Sequence, residues 1–132
     1  MCLFCDIVNK KIPCYTIYED QDFLAFLDIS QSTKGHTLLI PKKHYDSLLE
    51  CPDEEAAKLM SVACQLAKEI VKKLNANGIN VLTNAHEIAG QTVHHLHFHL
   101  IPRYNENDGF KATFKANPEP DYQSVLTKLK MK

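Results

Sequence analysis

The sequence has 132 residues, 45% of them hydrophobic, which is enough to bury the core of one domain. Its 15 basic and 16 acidic residues nearly cancel, and the basic ones are scattered, which argues against a nucleic-acid groove. No apolar run reaches the roughly 18 residues of a membrane span, and no signal peptide opens the chain. We therefore expect a cytoplasmic protein that binds neither nucleic acid nor membrane.

The first half of the chain predicts a helical turn followed by three strands. Residues 4–10 form the helical turn, and residues 15–19 and 23–27 are β-runs separated by a polar turn. Residues 37–40 form a third short apolar run, which Pro41 ends.

A long amphipathic helix follows, with apolar residues at three- and four-residue spacing from Ala56 to Leu74. Pro52 suits its first turn, and Gly78 is placed to end it. Residues 79–83 and 96–103 then predict two more strands around a polar loop. Together these elements indicate an α+β fold, in which a five-stranded antiparallel sheet packs against one long helix. A short terminal helix is expected within residues 120–130.

Residues 91–103 carry the most informative pattern. Three histidines alternate with three apolar residues: His95, His97 and His99 with Leu96, Phe98 and Leu100. Successive side chains of a strand point to opposite faces, so the three imidazoles should share one face. Because alternate residues lie roughly 6.5–7 Å apart, a flat strand cannot easily bring all three to one metal. In such a row, one imidazole can instead attack the substrate while its neighbours orient it or contact the leaving group.

This run resembles the signature of the histidine-triad family of nucleotide hydrolases and transferases, in which histidines alternate with apolar residues. Residues 2–5, 25–30 and 35–44 are similar to further family segments, in family order and at family spacing. The resemblance implies a domain over residues 1–110, with residues 111–132 as a tail of the same domain. It also implies a homodimer whose two sheets join into one continuous sheet.

The expected chemistry is nucleophilic attack on an α-phosphorus. A neutral imidazole is a better nucleophile than water at pH 7, and attack would give a nucleotidyl-histidine that water then hydrolyses. His97 is the natural nucleophile because a histidine flanks it on either side, and the resemblance supports this assignment. Its other ring nitrogen needs an acceptor, and the resemblance points to His36 as the orienting residue.

Polar residues around this strand are expected to bind the rest of a purine nucleotide. His99 would contact the phosphate oxygens, and Gln91, Thr92 and Asn84 would hydrogen-bond the phosphate or the leaving group. Asp28 is a candidate for the ribose hydroxyls. Five apolar residues could sandwich the purine, although simple core packing explains them equally well: Phe4, Ile7, Ile12, Phe26 and Ile29.

A metal site competes for one of the histidines. Five cysteines, an odd number, argue against a disulfide framework, whereas Cys2 and Cys5 have a metal-ligand spacing. A subset of the family that this sequence resembles binds zinc through such cysteines, the histidine at position 44 and the first triad histidine. His95 would then be a structural zinc ligand with Cys2, Cys5 and His44, rather than assist the leaving group. The alternative is two free thiols and a surface His44.

These patterns favour a nucleotide hydrolase. Nucleoside 5′-phosphoramidates and dinucleoside polyphosphates fit equally well as substrates, and a histidine at position 99 disfavours the nucleotidylyltransferase branch. A non-catalytic zinc- and nucleotide-binding protein that acts through partner contacts is the main alternative. A metal-storing protein is a third.

Overall fold

The structure is a computed structural model, and it describes residues 2–131. These residues contain five strands and three α-helices, in the following order: α1 Leu3–Val8, β1 Thr16–Glu19, β2 Phe23–Leu27, β3 Thr37–Pro41, α2 Asp53–Leu74, β4 Gly78–Leu82, β5 Phe98–Arg103 and α3 Tyr122–Leu129. Two 3-10 turns, Leu48–Glu50 and Glu87–Ala89, lie in the connections.

The strands form one antiparallel sheet in the order β1-β2-β3-β5-β4, which confirms the predicted fold class. Helix α2 covers one face of this sheet. Its apolar side packs on the α2-side core, which is made by alternate residues of the strands: Phe23, Ala25, Leu39, Leu96, Phe98 and Leu100. As predicted, the apolar partners of the three histidines therefore belong to this core.

The opposite face of the sheet carries a second, smaller core. The intervening residues of β2 and β3 point to this side, where Phe4 and Ile7 of α1 pack on them: Leu24, Phe26, Leu38 and Ile40. Strands β2 and β3 are buried on both faces, which explains why their sequences are continuously apolar. The short helix α1 is thus the cover of the face on which the histidines lie.

The C-terminal end of α2 differs from the prediction. Asn75, not Gly78, adopts the left-handed conformation that ends the helix, with φ of 54°. Its backbone N–H and that of Ala76 return to the carbonyls of Lys72 and Val71. Asparagine tolerates this conformation because its short polar side chain can bond locally, so Gly78 is left to begin β4.

The histidine strand is shorter than predicted. Strand β5 begins at Phe98, and the residues before it bond to loops instead of a neighbouring strand. Leu96 N–H donates to Tyr45 O at 2.7 Å, and the Thr83 hydroxyl donates to His97 O at 2.7 Å. His95 and His97 therefore lie in a segment outside the sheet ladder, and only His99 lies within β5.

The predicted terminal helix is present as α3, all of whose residues are at least partly exposed. No helix within residues 2–131 combines the length and apolar character that crossing a membrane requires. The domain boundary at residue 110 and the cytoplasmic location stay predictions.

Gly35, which immediately precedes His36, offers a test of this packing. Its φ of +94° disfavours any side chain, and an added Cβ would overlap Leu74 Cδ1. We expect Gly35→Ala to lower the free energy of unfolding by about 2 kcal/mol in urea denaturation. Gly78→Ala is the matched control, since a Cβ there meets nothing within 4 Å. Equal stability of the two variants would contradict the strain assigned to Gly35.

Candidate functional site

A cavity of about 390 Å³ opens on the α1 side of the sheet. All five apolar residues predicted to sandwich a purine line it: Phe4, Ile7, Ile12, Phe26 and Ile29. Phe4, Ile7 and Phe26 also belong to the second core, so core packing and cavity wall are compatible roles. Four of the predicted polar residues share the cavity: Asp28, Thr92, His97 and His99.

His97 is held in one tautomer by a backbone carbonyl. Its Nδ1 lies 2.7 Å from His95 O, and because a carbonyl can only accept, Nδ1 carries the proton. Burial lowers the pKa of His97, so the ring is neutral at pH 7 and Nε2 keeps its lone pair. The sequence suggested His36 as the orienting acceptor; the structure gives that bond to the carbonyl of His95 instead.

His36 acts on the third histidine. Its Nδ1 accepts the Ser32 N–H at 3.2 Å, so its proton lies on Nε2, which is 2.9 Å from His99 Nδ1. His99 therefore keeps its own proton on Nε2, a nitrogen that can donate to an oxyanion. Burial, followed by the neighbouring histidines, lowers the pKa of His99 to about 4, which keeps this donor neutral. Asp28 Oδ2 lies 3.6 Å from His36 Nε2.

Two residues predicted to contact phosphate face elsewhere. Gln91 is 3% exposed, and its amide donates to Asp46 O at 2.5 Å and to Val93 O at 3.1 Å. Its Oε1 accepts the His86 N–H at 2.7 Å, so Gln91 braces the loop and has no group left for a phosphate. Asn84 lies outside the cavity lining, with Nδ2 3.5 Å from Gly90 O. The sequence showed that polar residues lie close to the triad, but it did not show which way their side chains point.

The four predicted zinc ligands converge beside the cavity. Their ligand atoms all lie within 4.8 Å of one another. Cys2 Sγ is 3.3 Å from His95 Nδ1, and Cys5 Sγ is 3.3 Å from His44 Nδ1 and 3.6 Å from His95 Nδ1. Tetrahedral zinc with bonds of about 2.0 Å to nitrogen and 2.3 Å to sulfur places such atoms about 3.5 Å apart. The spacing of the four side chains therefore fits the metal.

Hydrogen bonds behind the two histidines support the same conclusion. His95 Nε2 donates to Pro41 O at 2.8 Å, and His44 Nε2 donates to Asp46 Oδ1 at 2.8 Å. These bonds occupy both Nε2 atoms and leave the Nδ1 atoms, which face the thiols, as the nitrogens available to a metal. His95 is fully buried and has no ring nitrogen directed to the cavity, so its geometry favours the ligand role over assistance to a leaving group. Sequence reasoning missed Asp46, although a carboxylate two residues after His44 was a usable signal.

A cation that bound the two thiols would displace their protons. Burial and the adjacent Cys2 raise the pKa of Cys5 to about 11, so its thiol is protonated at neutral pH when no cation is near. A bound divalent cation reverses this preference and releases the proton.

A second cluster, formed by Asp28, His36 and His99, is also close enough to surround an ion. Its hydrogen bonds oppose ligation. Ser32 N–H occupies Nδ1 of His36, which forces the proton onto the nitrogen that would have to bind the metal. This cluster is better suited to fix the tautomer of His99 than to hold a cation.

The HIT domain family model matches residues 9–106 of the chain. The chain belongs to the HIT family. An uncharacterized HIT-like protein of Methanocaldococcus jannaschii is 45% identical over 130 residues, which cover 98% of this chain and 99% of that protein. The adenosine 5′-monophosphoramidase of Schizosaccharomyces pombe is 41% identical over 117 residues, 89% of this chain and 85% of that enzyme.

Solved HIT structures agree with the fold. A HIT family protein from Bacillus anthracis superimposes with a TM-score of 0.90 at 46% identity, covering 97% of this chain and 94% of that one. A zinc-bound histidine triad family protein from Mycobacterium smegmatis has a TM-score of 0.78 at 36% identity, with coverages of 97% and 94%. Zinc is therefore found in a HIT protein of the same fold.

Proposed function

We propose that this HIT protein hydrolyses purine nucleotide conjugates at the α-phosphorus through a covalent nucleotidyl-histidine on His97. The observation that carries the proposal is the bond from His97 Nδ1–H to His95 O, since it leaves an unprotonated Nε2 on a residue that lines the cavity. The resemblance to an adenosine 5′-monophosphoramidase supports hydrolysis of a nucleotide.

The reaction divides into two displacements. His97 Nε2 attacks the α-phosphorus, the bond from phosphorus to the leaving group breaks, and an amine leaving group takes up a proton from solvent water as it departs. Water then attacks the same phosphorus, the phosphorus–nitrogen bond to His97 breaks, and the nucleoside monophosphate leaves. His99 donates from Nε2 to the phosphate oxygens in both steps, because His36 holds its other nitrogen.

The cavity places the rest of the substrate. Apolar side chains at Phe4, Ile12 and Ile29 would contact the purine, and Asp28 would accept from the ribose hydroxyls. Thr92 would hydrogen-bond the phosphate. We propose that phosphoramidates, whose leaving group is an amine, and dinucleoside polyphosphates are the two substrate classes to compare, and the phosphoramidase relative favours the first.

Replacing His97 tests the proposal directly. His97→Ala removes the nucleophile, so we expect hydrolysis of adenosine 5′-phosphoramidate and diadenosine tetraphosphate to fall by at least about 1,000-fold. His94→Ala is the matched control, because His94 is an exposed histidine three residues away. Wild type incubated with labelled substrate and quenched in alkaline denaturant, in which the phosphorus–nitrogen bond survives, should carry one labelled histidine, which the His97 variant lacks. Undiminished turnover by His97→Ala, or no cleavage of either substrate, would leave a binding protein as the function.

We further propose zinc as the metal held by Cys2, Cys5, His44 and His95. Protein purified without chelator should then contain close to one zinc per chain by mass spectrometry of the metal. Cys2→Ser and His44→Ala each remove a ligand and should lower this value towards zero. Cys64→Ser serves as the control, since Cys64 is an exposed cysteine of α2. An unchanged metal content in the first two variants would refute the assignment.

We propose a homodimer in which the two sheets join at β4. Within residues 2–131, β4 pairs only with β5, so its outer edge offers open backbone groups to another strand. Val81 on this strand is also exposed. Light scattering should report about twice the chain mass of 15.0 kDa. A mass equal to that of one chain at working concentrations would exclude this assembly.

A further inference from the structure

Helix α1 connects the metal-ligand cluster to the nucleotide cavity. Cys2 caps its N-terminus and Cys5 lies on its first turn, while Phe4 and Ile7 of the same helix line the cavity. A helix of six residues is far shorter than the roughly 12–15 that are marginally stable alone. Its position must therefore be set by what it contacts.

Two sets of contacts hold α1 on the sheet. One is apolar: Phe4 and Ile7, which are 4% and 8% exposed, pack in the second core. The other runs through the thiols, which lie 3.3 Å from His95 Nδ1 and His44 Nδ1. A metal that replaced these weak sulfur contacts by bonds would fix the helix and the part of the cavity wall that it carries.

A second connection runs through His95. One ring nitrogen faces the thiols, and the backbone carbonyl accepts the bond from His97 Nδ1 at 2.7 Å. The ring of Phe4 lies edge-on to both imidazoles, with centroids 5.9 Å from His95 and 5.1 Å from His97. Movement of α1 would thus displace the part of the cavity wall that this helix forms. It would also alter the contact between Phe4 and His97.

We propose that metal occupancy of the Cys2, Cys5, His44 and His95 cluster controls how tightly the cavity binds a nucleotide, and that Phe4 is the positioning residue that transmits the effect. This inference rests on the proposed nucleotide function. Because coupling between two sites is reciprocal, a bound nucleotide tightens metal binding by the same factor by which the metal tightens nucleotide binding.

The test compares adenosine 5′-monophosphate binding to zinc-loaded and zinc-stripped protein by titration calorimetry. We expect the stripped form to bind roughly 5- to 150-fold more weakly, the range typical of coupled sites. Zinc affinity, measured by competition with a chelating indicator, should rise by the same factor when the nucleotide is saturating.

Two variants separate transmission from simple cavity damage. Phe4→Leu keeps an apolar side chain but removes the ring between the two histidines, so the coupling factor should fall towards one while about one zinc per chain stays bound. Ile29→Ala alters the cavity from the loop after β2, where Ile29 is 88% exposed. It should weaken nucleotide binding in both forms and leave the coupling factor unchanged.

The outcomes are distinct. Equal nucleotide affinity of the two forms overturns the coupling and leaves the proposed function standing, whereas binding to neither form refutes both. A coupling factor that Phe4→Leu leaves intact excludes Phe4 as the transmitting residue. Loss of the α-helical circular dichroism signal on stripping would show that the metal holds the whole fold, which contradicts a local effect at α1.

Discussion

The hydrogen bond from His97 Nδ1 to the carbonyl of His95 is the constraint on which the site depends. It forms at a carbonyl that no neighbouring strand engages, because residues 95–97 lie outside the sheet ladder before β5 begins. Other contacts hold these residues: Leu96 N–H bonds to Tyr45 O in a loop, and His95 Nε2 bonds to Pro41 O at the end of β3. The carbonyl of His95 is thereby free to select the tautomer of His97.

The two faces of the sheet contribute differently to the stability of the fold and to the candidate functional site. Helix α2 covers one face and builds the larger core, which contains the apolar partners of the triad. The other face is covered by the short α1 together with Ile12, Cys14 and Val93, and the incomplete cover leaves the cavity. Because β2 and β3 are buried on both sides, residues that line the cavity also contribute to packing. Substitutions in the cavity wall will therefore alter stability as well as ligand binding.

The periodicity of the sequence and the presence of metal-ligand residue types predicted most of this arrangement. The features that they did not predict share a cause. Alternation identified the histidine face, and Cys-x-x-Cys with His44 identified the cluster that could hold zinc. The acceptor for His97, the donor to His36 and the partner of His95 are all backbone groups, which carry no residue-specific signal. The interpretation of Gln91 was wrong for a related reason: its amide bonds to two backbone groups of its own loop and to Asp46 O of the connection after β3, an arrangement that depends on how these two segments pack.

The histidines of the cavity are neutral, and neither lysine nor arginine is among the described residues that line it. A phosphate entering this cavity would meet the Nε2–H of His99, a neutral donor, in place of a positive charge. Screening by dissolved ions acts strongly on exposed charge pairs and little on buried dipoles. Ionic strength should accordingly affect nucleotide binding mainly through Asp28, the charged side chain among the described lining residues. The same lack of cations spares the cavity from capture by unrelated polyanions, which would find hydrogen-bond donors but no counter-charge.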